Sequence, residues 1–291
     1  RRSLRGPETP VVRAPVRILP TSADRARCVA GIASSVTEIF MKPLLAATTA
    51  AFALLLLADP GASSAQPVLK AGSTTAGQPT SGLNPQTKQL EGISVEVLQA
   101  IAKDTGLQIE FKPMTFAELQ PALLEGKIDI IAASFGITPT RQKIVEFTDV
   151  YGSYRDKLLV SINDTKTYRS AADFKGMAIA IPKGSTYIDG LKDAGAILTF
   201  VSTPPEAIGE LEAGRVAGVV DNGLQIAYRM QNNAHPALKI VDSYQPIQEG
   251  KLAFAVRKGD ADLLAKLNTS LKKLQANGTV KAIYFRWGLD L

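Results

Sequence analysis

Three short stretches combine residue types that could grip a small charged molecule. The first, Ser134-Phe-Gly-Ile-Thr-Pro-Thr-Arg141, follows the apolar run 128–132. Thr138 reads as a helix N-cap and Pro139 as the first helical residue, which puts Arg141 in the first turn. A helix start is a positive end where an acid is favoured, so a cation there suits an anion held between the two. The alternative is an exposed arginine lying back along the helix. The second stretch, Gly184-Ser185-Thr186, offers hydroxyls and free N–H groups at another expected helix start, either as a second anion contact or as an N-cap. The third is Asp221, the acid that ends the run 216–220, either an N-cap or a carboxylate facing the other two. All three sit at the C-terminal ends of expected parallel strands, where open α/β sheets present their ligand loops. Facing one another, they would hold a zwitterion, its carboxylate on the cationic side and its ammonium on Asp221.

The elements that must position them alternate at short intervals from Gln66 onward, which points to an α/β chain with largely parallel sheets. Residues 68–71 read as a strand, followed by a Gly/Ser/Thr/Pro-rich loop over 72–84 that is too polar for core. Val95, Val97, Leu98, Ile101 and Ala102 have helical spacing up to Gly106, and Leu107, Ile109 and Phe111 alternate as a strand. Thr115 with Glu118 forms a capping box opening a helix to Leu124. A second set of units begins with a strand over 157–161. Strands over 177–181, 197–201 and 216–220 follow, with helices between them, one over 204–213. Residues 252–256 read as a strand and Leu263, Leu264, Leu267, Leu271 and Leu274 as the apolar face of a helix, with a last short helix over 279–287. An internal echo links Leu124-Glu-Gly-Lys-Ile-Asp-Ile-Ile-Ala-Ala133 to Leu211-Glu-Ala-Gly-Arg-Val-Ala-Gly-Val-Val220. It reads as two similarly built lobes, although shared loop chemistry alone would produce it too.

Composition narrows the partners. The chain carries 33 Lys/Arg and 27 Asp/Glu, a net +6. Eight of those bases and four of those acids lie in residues 1–65, so residues 66–291 keep 25 and 23, a net of only +2. A nucleic-acid partner is accordingly not expected. The one cysteine, Cys28, precedes that body, which therefore has no disulfide and no thiolate metal site. No His/Cys cluster and no phosphate-loop glycine pattern occurs, so no metal or other cofactor is expected. Met41-Lys42, an uncharged run over 44–58 and the small residues 61–65 have the three regions of a secretory signal peptide, cut after Ala65. The run is shorter than the roughly 18 to 20 residues that span a bilayer. Residues 1–40, Arg-rich and aperiodic, are read as an unstructured upstream segment.

Several motifs in fixed order now carry a resemblance. They are Gly126-Lys-Ile-Asp-Ile-Ile, Gly136-Ile-Thr-Pro-Thr-Arg141, Phe147-Thr-Asp149, Pro182-Lys-Gly-Ser-Thr186, Leu211-Glu-Ala-Gly-Arg215 with Val220-Asp221, Leu274-Gln-Ala-Asn-Gly-Thr279 and Tyr284-Phe-Arg-Trp287. Over residues 66–291 the chain resembles the periplasmic solute-binding proteins of polar amino-acid ABC transporters, extracellular solute-binding protein family 3. The resemblance implies a type II periplasmic binding fold, with each lobe a small, mostly parallel sheet flanked by helices. Lobe 1 would comprise 66–157 and 252–291 and lobe 2 would comprise 158–251, joined by strands that cross near 155–161 and 250–256. It also implies that Arg141, Ser134, Gly136 and Thr186, with Ser185 beside it, hold a ligand carboxylate while Asp221 takes the ammonium. The implied protein is a periplasmic monomer that is no enzyme and delivers a small zwitterionic amino acid or analogue to an inner-membrane ABC permease.

The chain also departs from that family. Relatives place aromatic residues in the loop after the first strand, whereas here it reads Ser73-Thr-Thr-Ala-Gly-Gln-Pro-Thr80. The usual Gly-Phe-Asp at the next helix start is Gly92-Ile93-Ser94. Phe135 and Tyr151 are the candidates for the apolar wall. A periplasmic cyclohexadienyl-type dehydratase is the alternative on the same fold. It would need a spare acid in the cleft, yet beyond Asp221 the chain offers Leu224 and Gln225, and its single histidine, His235, falls in an expected loop.

Overall fold

A computed structural model describes residues 67–232 and 235–290. The expected signal peptide and the segment before it lie outside the described residues.

The chain opens with β1 (Leu69–Thr74), three short strands β2 (Ala76–Gly77), β3 (Ser81–Leu83) and β4 (Leu90–Glu91), and helix α1 (Ile93–Thr105). It continues through β5 (Ile109–Met114), α2 (Phe116–Leu124), β6 (Ile130–Ile131), the single turn α3 (Pro139–Gln142) and β7 (Val145–Phe147). The second series is β8 (Gly152–Ser161), β9 (Ala178–Pro182), α4 (Ile188–Asp193), β10 (Ile197–Val201), α5 (Pro204–Glu212), β11 (Gly218–Asn222), α6 (Gly223–Asn232), β12 (Leu238–Ile240) and β13 (Glu249–Leu252). The chain then returns through β14 (Ala255–Arg257), α7 (Ala261–Ala276) and α8 (Thr279–Arg286).

Local chemistry accounts for these boundaries. α1 buries Val97, Leu98 and Ile101 on one face and stops where Gly106 takes φ 77, a left-handed value that a side chain would resist. α2 begins with the expected capping box: the Thr115 N–H donates to Glu118 at 2.8 Å. α7 buries Leu267, Leu271 and Leu274 on its apolar face.

Two sheets form two lobes. The first has strand order β5-β1-β6-β14-β7 and the second β10-β9-β11-β8-β12, with β13 pairing β8. In the first sheet β1 runs parallel to β5 and β6, and β14 runs antiparallel to β6 and β7. In the second β9 runs parallel to β10 and β11, and β8 runs antiparallel to β11 and β12. Each lobe thus repeats one unit, β1-α1-β5-α2-β6 and β9-α4-β10-α5-β11, and closes it with an antiparallel strand from elsewhere in the chain. The echo between residues 124–133 and 211–220 marks the same step in both units, the helix-to-strand turn that delivers β6 and β11. The sheets are mixed rather than largely parallel, because the direction of β8 and β14 is set by their crossing between lobes.

The crossings run side by side. The Thr148 N–H donates to the Phe254 carbonyl and the Tyr151 N–H to the Leu252 carbonyl, both at 2.9 Å. The chain therefore leaves the first sheet over 148–151 and returns over 253–254. By Arg155 it is already paired in register with β13, earlier than the expected crossing at 155–161. One core cluster spans this junction through Tyr151, Tyr154, Leu252 and Phe254, and smaller ones pack α2 on the first sheet and α5 on the second. The polar segment 72–84 is not a surface loop: Ser73, Thr80 and Ser81 are fully buried. Their hydroxyls are paired, Ser73 to the Ala132 carbonyl at 2.6 Å and Thr80 to the Gly77 carbonyl at 2.7 Å. Among the described residues no helix is long and apolar enough to cross a membrane.

Candidate functional site

β6 and β11 occupy equivalent places in their sheets, and the loops after them face one another across the cleft. After β6, Ser134 donates to Thr80 Oγ1 at 2.5 Å. Gly136 lies so close to Tyr154 that an added Cβ would sit 2.7 Å from its hydroxyl. Thr138 caps α3 as expected, accepting from the Arg141 N–H at 3.1 Å. With four residues α3 has little macrodipole to oppose, so the Arg141 guanidinium is placed by other contacts. It donates to the Gly136 carbonyl at 2.7 Å and, across the cleft, to the Gly184 carbonyl at 2.8 Å. Its face covers the Phe135 ring at 3.9 Å, with Phe116 at 5.6 Å. Arg141 is 9% exposed. Burial lowers its pKa to about 10, which leaves it charged at neutral pH.

On the opposite lobe the turn after β9 carries Gly184 at φ 83. Ser185 donates to the Pro182 carbonyl at 2.7 Å and so serves the turn itself. α4 starts only at Ile188 without a side-chain cap, and Thr186 is not an N-cap: its Oγ1 is buried and meets no backbone or charged group, only the Tyr154 hydroxyl beside it. The buried Tyr187 hydroxyl likewise has only the Tyr154 hydroxyl beside it, and burial raises its pKa well above the ordinary value. At the end of β11, Asp221 is 7% exposed and accepts one hydrogen bond, from the Asn222 N–H at 2.8 Å. The residue that caps α6 is Asn222, whose Oδ1 accepts from the Leu224 N–H at 2.9 Å. Asp221 is thereby left to the cleft. Burial pushes its pKa up to about 6, against the pull of the Asn222 N–H and the nearby Arg229.

Between the lobes lies a cavity of about 60 Å³, with room for several waters' worth of ligand. Ser134, Ser185, Thr186 and Asp221 line it. Arg141 and Gly136 do not; the guanidinium sits beside it, tying Gly136 to Gly184. Tyr151, expected at the apolar wall, is elsewhere: its ring stacks on Phe254 at 4.7 Å and its hydroxyl donates to Ser94 at 2.8 Å, inside the core. Phe135 is buried beneath Arg141. The aromatic lining comes instead from Phe116, Tyr154 and Tyr187, none of them singled out from sequence. Tyr154 was legible in principle, since β8 buries Tyr154, Asp156 and Leu158 in strict alternation. His235 lies outside the cavity, its Nδ1 2.7 Å from Glu212.

Further contacts hold the lobes together. Gln225 Nε2 donates to Ser134 Oγ at 3.4 Å, Arg229 donates to the Ala76 carbonyl, and Tyr228 packs on Trp287 at 5.9 Å. Among the described residues, Asn222 Nδ2 and Gln225 Oε1 are buried on the cavity lining with no partner, and Thr186 Oγ1 and the Tyr187 hydroxyl have only the Tyr154 hydroxyl beside them. Buried polar groups are rarely left so. A two-lobed α/β fold with such a cavity at its strand ends defines a protein that encloses a small polar ligand between its lobes.

The chain belongs to the bacterial extracellular solute-binding proteins, family 3, which it matches over residues 69–290. It is 32% identical over 222 residues to the L-arginine-binding protein of Pseudomonas aeruginosa, covering 72% of this chain and 83% of the relative. Among solved structures it is similar to an ancestral arginine-binding protein bound to arginine, at 34% identity and TM-score 0.69, covering 76% of this chain and 97% of the other. It is likewise similar to the ancestral amino acid-binding protein AncCDT-1, a precursor of cyclohexadienyl dehydratase, at 29% identity and TM-score 0.69, covering 76% and 94%. By family the chain is an amino-acid-binding protein of the ABC-transporter type and not an enzyme, placed outside the cytoplasm.

Proposed function

We propose that the protein takes up an α-amino acid as a zwitterion between its lobes and delivers it, closed, to an ABC permease. The carboxylate would lie against Arg141 and Thr186 and the ammonium against Asp221. The observation that carries this reading is the mismatch at the cavity wall. A buried carboxylate has a single N–H partner, and the buried Thr186 hydroxyl has no charged or backbone partner, only the Tyr154 hydroxyl; a ligand with one cation and one anion supplies a charged partner to both. Arg141 already spends two donors on carbonyls, and exchanging the Gly184 carbonyl for a ligand carboxylate replaces a neutral acceptor with a charged one, a bond roughly twice as strong. Among the described residues, Asp221 is the only acid lining the cavity. Once it holds the ammonium no spare acid is left for an elimination, which weighs against a dehydratase.

The location we propose is the periplasm, reached through the signal peptide over 41–65, and the working form a monomer. A thermal-shift panel of the common amino acids tests the binding reading. At least one should raise the melting temperature in proportion to the logarithm of its concentration, about 2.7 kcal/mol of stabilisation at 100 times Kd. The chain's single tryptophan, Trp287, packs across the lobes on Tyr228, so its fluorescence should change with the same ligand. A panel with no response in either signal would defeat the proposal.

A further inference from the structure

We infer that the ligand's side chain is uncharged and polar, a carboxamide or a hydroxyl, and that Gln225 and Asn222 select it. The inference rests on the zwitterion reading above. Among the described residues the lining includes one acid, Asp221, and no lysine or arginine. If Arg141 takes the α-carboxylate and Asp221 the ammonium, a cationic side chain would enter a cavity whose lining has no second carboxylate to meet it. An anionic side chain would equally find no free cation on the wall. Arg229, the nearby buried arginine, donates to the Ala76 carbonyl and its charge already faces Asp221. A buried charge without a partner is the costliest outcome available, so both charged classes are disfavoured.

What the wall does offer is one donor and one acceptor, each left over by the other end of its amide group. Asn222 Oδ1 is occupied by the Leu224 N–H, which leaves Nδ2 as an unpartnered donor. Gln225 Nε2 is directed at Ser134 Oγ, which leaves Oε1 as an unpartnered acceptor. A group that both donates and accepts satisfies the pair, as a primary amide or a hydroxyl does. The inference separates this chain from its similarity to proteins named for arginine.

Calorimetry on the purified protein with L-glutamine, L-asparagine, L-serine, L-arginine, L-lysine and L-glutamate provides the test, repeated on Gln225→Glu. The tightest uncharged ligand should bind at least ~10-fold more tightly than arginine, lysine or glutamate. Gln225→Glu adds the missing carboxylate and should move the ratio toward arginine by ~10-fold or more. Tightest binding by arginine, lysine or glutamate overturns the inference while leaving the zwitterion reading standing, and an unchanged ratio in the variant overturns the role of Gln225. Absence of binding by every amino acid defeats the zwitterion reading itself, and this inference with it. Should Gln225→Glu not fold, Asn222→Asp places a carboxylate on the same wall and carries the same expectation.

Discussion

β6 and β11 end at the same point of the same βαβαβ unit, yet the two strand ends finish in opposite charge and opposite degrees of satisfaction. Past β6 the cation, Arg141, is held by two carbonyls and an aromatic face, one of those carbonyls belonging to the other lobe. At β11 the anion, Asp221, is buried as deeply and keeps one backbone N–H. The difference follows from the residues beside them. Phe135 and the Gly136 turn give the guanidinium a protein-made nest, while Asn222 takes over the capping of α6 and leaves the carboxylate without work. On the function proposed above, one side of the cleft is preassembled and the other is held in an unfavourable state that a ligand cation would relieve. Burial of unpaired charge at a functional site is a recognised way of trading stability for binding.

The comparison breaks most readily at Arg141. Arg141→Ala removes the preassembled side and should weaken amino-acid binding on the order of 100-fold, the worth of one or two hydrogen bonds to a charged group. Far-ultraviolet circular dichroism should be unchanged, since the flanking strands pair without the side chain. Affinity within threefold of wild type would remove Arg141 from the site.

A smaller effect sharpens the other side. Asp221 titrates near 6 in the folded protein and near 3.9 in an unfolded chain. Below both values it is protonated in both states, and above both it is ionised in both. Between them the folded state keeps the proton that the unfolded state has lost, so the contribution of Asp221 to stability falls as pH rises through that window. Without ligand, Asp221→Asn should therefore be more stable than wild type at pH 7, by on the order of 1–3 kcal/mol. The gap should close as the pH is lowered toward 4. Denaturant unfolding at several pH values reads it directly, and a variant less stable at pH 7 would mean that the carboxylate has a partner. Ligand affinity should move the other way, strengthening as pH rises through about 6 and the carboxylate ionises.

Much of this was legible in the sequence because it is local. Thr138 before Pro139 and Glu118 three residues after Thr115 each declare a helix start by short-range chemistry, and the structure starts a helix at both; Asp221 misses by one residue, since β11 runs on to Asn222, which caps α6. What the sequence hid is set by distant partners. Tyr151 reads as a wall residue until Leu252 pairs with its backbone a hundred residues later and turns its ring into the core. The segment 72–84 reads as exposed because it is polar, and it is buried because its hydroxyls find carbonyls. Arg229 lies in the last turn of α6, where a cation is ordinary, and only the folded chain brings it to Ala76 in the other lobe. The antiparallel direction of β8 and β14 follows from the same kind of distant constraint: the resemblance implied crossings near 155–161 and 250–256, but no local pattern in those strands declares their direction.

The central claim is that Asp221 waits for a ligand ammonium. Calorimetry should compare an amino acid that binds with its analogue lacking the α-amino group, on wild type and on Asp221→Asn. Loss of the amino group should cost the wild type about 30-fold or more in affinity and the variant threefold or less, a coupling of the size seen when one partner of a buried charge pair is removed. Equal losses in the two proteins would contradict the account.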